Sequence, residues 1–193
     1  NKILDGDGGG IVVHGEARGV YIGNTLSGSV RAGIGVMDSA CPVFIGNEMS
    51  SNQGGGAVMA GQSAPVFISN KLSGNGFVGL GVKEQSTPLL QDNVIVGNVG
   101  YGILLQGRSC TEIQNSVVEN NKRAGICACE QAFVRATKCT IQASGEGSQR
   151  AGLLLHDDSK AVLHQSTLVG HRTGNVVMQD RSTGAFTEND MSG

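Results

Sequence analysis

Two consecutive stretches decide the fold: GIGVMDSACPVFIGNEMSSNQGG over residues 33–55 and GAVMAGQSAPVFISNKLSGNGFV over residues 56–78. Placed one under the other, they align Gly33 with Gly56, Ala40 with Ser63, Phe44 with Phe67, Asn47 with Asn70 and Met49 with Leu72. The same glycine recurs at Gly10, Gly33, Gly56, Gly79, Gly102, Gly125 and Gly152, every 23 residues except for one interval of 27. An eighth turn begins at Asn175, and the long interval holds a polar insertion near 144–149. A fixed period of this length marks a repeat architecture.

Counting positions from zero at those glycines gives columns. Position 11 is apolar throughout: Tyr21, Phe44, Phe67, Leu90, Ile113, Ala136, Leu163 and Phe186. Position 16 is aliphatic throughout, from Leu26 and Met49 to Leu168 and Met191. Positions 1 and 3 are apolar, position 7 is always Ala or Ser, and position 14 is mostly Asn (Asn24, Asn47, Asn70, Asn93, Asn189). Inward positions alternate within each turn in three short runs separated by Gly, Ser and Asn, which is the period of strands. The pattern predicts an all-β fold, a right-handed single-stranded parallel β-helix of about eight 23-residue turns. Rungs stack about 4.8 Å apart, and the hand follows from the strong preference of parallel crossovers. A leucine-rich repeat of similar period needs leucine at several fixed positions, and these columns mix Ile, Val, Met, Phe and Leu. The whole of 1–193 reads as a single β-helix domain. It begins and ends within a rung, as expected of a segment of a longer chain.

Composition agrees and excludes. Glycine supplies 31 of 193 residues, far more than a helical domain tolerates. Lys plus Arg number 14 against 16 Asp plus Glu, so no basic excess points to nucleic acid. No apolar run is long enough to span a membrane. Nothing calls for a cofactor. The asparagine columns, at position 14 and again at Asn52, Asn75, Asn98 and Asn121, read as hydrogen-bonded corner ladders.

The stretch GGGIVVHGEARGVYIGNTLSGSVRAGIGVMDSACPVFIGNEMSSNQ (8–53) resembles the CASH-type parallel β-helix repeats, most closely the β-helix of F-box only proteins. Those share the 23-residue period, the G-I-x-V opening and the N-x-I close. The resemblance implies a non-catalytic recognition or scaffold β-helix, such as the substrate-recognition part of a ubiquitin-ligase-like adaptor. The same repeats occur in carbohydrate-active enzymes, so a carbohydrate-binding or lyase- or hydrolase-like β-helix is the implied alternative.

Three surface groups are candidates for function. Val20, Ile22, Val43, Ile45, Val66, Ile68 and Leu89 form an outward apolar patch over the first four turns, a docking surface for a protein partner or for flanking chain. Glu130, Asp157 and Asp180 share position 5 on three rungs, with Asp158 beside them. Stacked carboxylates invite a cation, a proton or a basic neighbour, so this edge is a glycan or cation candidate. Cys127, Cys129 and His156 lie on one outward strand face and supply three zinc-type ligands without an evident fourth. Five cysteines at spacings unsuited to pairing predict a reducing, cytoplasmic or nuclear setting.

Overall fold

The computed structural model describes residues 1–143 and 150–192. The insertion near 144–149 lies outside the described residues. Each turn contributes three short strands, represented in the second turn by Ala32–Val36, Val43–Ile45 and Glu48–Ser50. Across turns these strands stack into three parallel sheets of eight strands each among the described residues. We call them sheets I, II and III, after those three strands in order. The chain is a right-handed parallel β-solenoid of about eight turns.

Register is what makes the columns real. Ile34 faces Ala57, Phe44 faces Phe67 and Met49 faces Leu72, each one repeat apart. After the 27-residue interval, Ile126 still faces Leu153 and Ala136 still faces Leu163. The longer turn is therefore absorbed at a corner without a slip. A slip of one residue would turn every inward side chain outward.

Inside the tube the three sheets meet in one continuous core. Leu26, Met49, Leu72, Ile95 and Val118 form one fully buried column, and Ile34, Leu80, Ile103 and Ile126 face it. Tyr21, Phe44 and Phe67 stack with ring centroids 5.0 and 4.8 Å apart. That spacing is the rung spacing itself, so identical aromatic rings in register stack offset at no extra cost.

The corners turn inside the buried tube, so their backbone groups need partners. Asparagine supplies them. Asn47 Oδ1 accepts the Asn24 backbone N–H at 2.9 Å and the Asn24 amide at 2.8 Å, while Asn47 Nδ2 donates to the Tyr21 carbonyl at 2.8 Å. Asn70 and Asn93 repeat the pattern, and Ser116 continues it through its hydroxyl. The second ladder runs through Asn52, Asn75, Asn98 and Asn121. In the seventh turn His171 takes that corner position, and its Nε2 donates to the Ile141 carbonyl at 3.1 Å. Burial holds the His171 pKa below its ordinary value, which keeps the ring neutral.

The repeating glycine has a steric cause. A Cβ on Gly56 would lie 2.6 Å from the Gly79 carbonyl oxygen and 3.1 Å from Asn75 Nδ2. Strand start and asparagine ladder thus occupy the same corner, and only glycine leaves room for both.

The ladder makes a sharp stability prediction. Asn75→Ala strands the Asn52 N–H and takes one partner each from the Asn52 amide, the Met49 carbonyl and Asn98 Oδ1. The Asn52 amide keeps its bond to the Leu26 carbonyl, and Asn98 Oδ1 keeps the one from the residue 75 N–H. With ~1–3 kcal/mol for each buried polar group left alone, partly relieved by relaxation, the loss should be about 3–5 kcal/mol. Thermal and urea unfolding measure it; a change below about 1 kcal/mol would show that the ladder is ornamental.

Candidate functional site

The outer faces of the three sheets differ. On sheet II the patch foreseen from sequence is present. Val43, Ile45, Val66, Ile68 and Leu89 are half-buried by their own neighbours, and Val20 and Ile22 are exposed at 63% and 64%.

Sheet I is concave and carries two clefts. Its outward side chains at position 2 run Val12, Gly35, Val58, Gly81, Leu104, Cys127, Leu154 and Val177. Val78, Leu104 and Cys127 form a buried apolar cluster outside the tube, with Val58, Tyr101 and Leu154 packed on it. Over the first turns opens a cleft of about 720 Å³, lined by Val12, Val30, Met37, Val58, Phe77 and Leu104 among others. Farther along the same face lies one of about 530 Å³, lined by Tyr101, Lys122, Arg123, Arg150, Leu154 and Gln179 among others. The sequence reading missed this face. The alternation of Gly35 and Gly81 with Val12, Val58 and Leu104 was its only linear signal, since both glycines have negative φ and room for a Cβ at 3.5 Å or more.

The acidic edge takes a different meaning from that expected. Position 5 lies in the left-handed region on every turn: Gly15, Asp38, Gly61, Glu84, Gly107, Glu130, Asp157 and Asp180 have φ between 55° and 77°. Each carboxylate there accepts the backbone N–H of the same position one rung earlier. Glu130 takes Gly107 N–H at 2.7 Å, Asp157 takes Glu130 N–H at 3.2 Å, and Asp180 takes Asp157 N–H at 3.2 Å. Asp38 and Glu84, which the sequence reading passed over, do the same for Gly15 and Gly61. Asp158 is held by Arg181 through two bonds of 2.7 and 2.9 Å, and this guanidinium lowers its pKa. These carboxylates serve the turn first. Glu130, Asp157 and Asp158 also line a third, shallower cleft of about 340 Å³.

Of the thiol-and-imidazole set, Cys127 and His156 are brought together. Cys127 and Cys129 point to the outer side of sheet I, as expected, yet they are not open to solvent. The apolar cluster covers Cys127 completely. Burial pushes the Cys127 thiol up to about 12 and the Cys129 thiol up to about 11. Cys129 donates to the Leu105 carbonyl at 3.4 Å. His156 Nε2 lies 3.7 Å from Cys127 Sγ, and its Nδ1 lies 2.9 Å from Asp157 Oδ2. Both ring nitrogens of His156 therefore have a neighbour within contact distance. The donors that do converge are His156, Asp157 and Asp180, within 4.8 Å of one another.

Comparison with known proteins fits this architecture. The family described as "Right handed beta helix region" matches residues 1–141, and the chain belongs to that family. No curated protein sequence matches the chain. Among solved structures, the periplasmic alginate epimerase AlgG has the same fold. A single-substitution variant of it matches with a TM-score of 0.84 at 16% identity, over 99% of this chain and 49% of that one. A double-substitution variant gives 0.86 at 16% identity, over 100% and 49%, and the unsubstituted enzyme gives 0.82 at 17%, over 92% and 46%. This chain therefore spans about half the length of those enzymes.

Two expectations change. The resemblance to CASH-type repeats and F-box only proteins rests on repeat pattern and gains no support from these matches. The cytoplasmic or nuclear placement is corrected: the solved structures of this fold that match are periplasmic. The cysteine argument behind it also fails physically. Cys127, Cys129 and Cys139 are unpaired because each is buried in its own column, which says nothing about compartment.

Thiol labelling at pH 8 checks the burial. Cys110, exposed, and Cys41, half-buried, should react in the folded protein, whereas Cys127, Cys129 and Cys139 should react only after unfolding. Labelling of Cys127 in the native state would contradict the covered outer cluster.

Proposed function

We propose that this chain is a carbohydrate-binding part of a carbohydrate-active β-helix, with a linear glycan lying along the outer face of sheet I. The observation that carries this reading is that two clefts, of about 720 and 530 Å³, share that face and follow one another along the rod axis. An extended ligand suits a surface that repeats every rung. The floor of position-2 side chains offers an apolar bed to the faces of sugar rings, and Phe77, 46% exposed, stands at its rim. Gln179 and Thr173 offer hydrogen-bonding groups for hydroxyls. An epimerase that acts on alginate is built on the same fold, which supports the reading by analogy.

Hydrolysis or elimination within this segment has less support. Such chemistry needs a free acid and base facing the sugar, and the carboxylates nearest one another here are engaged by backbone N–H groups and Arg181. Binding is the activity assigned to these residues.

A second reading, protein recognition on sheet II, is favoured by the exposure of Val20 and Ile22. The two are separable. Gly81→Leu fills the floor of the larger cleft without a backbone clash, so the melting temperature should hold while glycan retention in affinity electrophoresis drops at least about tenfold. Ile45→Asp with Ile68→Asp should leave glycan retention unchanged. Loss of retention with the sheet II pair, and none with Gly81→Leu, would move the site to the other face.

A further inference from the structure

We infer that the cleft of about 530 Å³ on sheet I is an anion subsite, which makes the preferred glycan an acidic one carrying carboxylate or sulfate groups. This rests on the glycan reading above and adds the substrate class.

Three cations, Lys122, Arg123 and Arg150, line the cleft, and no Asp or Glu lines it among the described residues. The two arginines occupy one column on adjacent rungs: Arg123 N–H donates to Gly100, Arg150 N–H to Arg123 at 2.8 Å, and Thr173 N–H to Arg150 at 2.6 Å. Their backbones are thus about 4.8 Å apart. Like charges directly across adjacent strands destabilise a sheet. Two cations elsewhere on the rod meet a carboxylate, Arg181 with Asp158 and Lys71 with Glu48. At this cleft no ion pair involves either arginine among the described residues. An anion bound between them removes the repulsion and satisfies both.

The geometry suits an oxyanion. The Arg123 guanidinium sits 5.6 Å above the centre of the Tyr101 ring. A cation held over an aromatic face is attracted by the ring's quadrupole, which positions the group beside the cleft. Guanidinium edges match carboxylate and sulfate oxygens two bonds at a time. Leu154 and Val177 supply an apolar floor beside these donors, as a sugar ring bearing an acid group requires.

Positive charge continues along the groove. Arg31 and Lys83 line the larger cleft against a single acid, Asp7. The molecule as a whole carries a net charge of −2, so this face concentrates cations that the rest of the surface does not. A polymeric acidic chain fits that distribution. Single-stranded nucleic acid fits it less well: base stacking needs open aromatic faces, and Arg123 already covers Tyr101.

The test uses this chain against four immobilised probes: a polyuronate, a sulfated glucan, a neutral glucan and a single-stranded oligonucleotide. Polyuronate and sulfated glucan should be retained at least about tenfold more tightly than neutral glucan. Arg123→Gln and Arg150→Gln should each weaken acidic-glycan binding about tenfold, the effect of losing one charge-assisted contact. Each should also flatten its salt dependence, and neither should lower the melting temperature. Lys71→Gln, on sheet III, should change nothing. If acidic and neutral glycans bind equally and both arginine variants are silent, the anion subsite is overturned and the glycan reading stands. If no glycan is retained, the glycan reading falls and takes this inference with it. Tighter retention of the oligonucleotide than of the polyuronate overturns the ligand class.

Discussion

Parallel stacking in register is the constraint on which everything else here depends. Every residue has its own counterpart about 4.8 Å above and below it. A side chain therefore succeeds only if it packs or bonds with copies of itself. Aromatic rings pass that test by offset stacking, as Tyr21, Phe44 and Phe67 do. Asparagine passes it because its amide both donates and accepts along the axis. The repeating glycine follows from the same stacking, since the carbonyl of the next rung, joined in several turns by the ladder amide, fills the space a Cβ would need.

Charged groups face the same test and fail it unless something intervenes. At position 5 the intervening group is a backbone N–H. A left-handed turn aims that donor along the rod, and a carboxylate from the next rung meets it. A column of acids is thereby a structural device. In the column of Arg123 and Arg150, among the described residues, no ion pair engages the side chains, and this is the charge we infer to serve a ligand. The same stacking rule thus separates two charged columns that look alike in one dimension.

How far this was legible in sequence depends on where each residue points. Inward columns repeat in identity, so Phe44, Met49 and Asn47 could be placed from spacing alone. Outward columns vary, so their collective properties stay hidden. Lys122 and Arg123 sit on one repeat and Arg150 on the next, and only their alignment on one face makes them a cleft. Cys127 shows the converse error. Its position was read correctly as outward, but Leu104 and Leu154 on neighbouring rungs cover it. Outward does not mean exposed when adjacent rungs carry large apolar side chains.

What the sequence by itself determined is the solenoid, its period, its three strands per turn and its polar ladders, because local spacing and the inward columns encode them directly. Only the tertiary structure decided which outer face is concave, which carboxylates are already spoken for and which cations stand together. Those properties arise from neighbours 23 or 27 residues away, whose side chains converge only once the rungs are stacked.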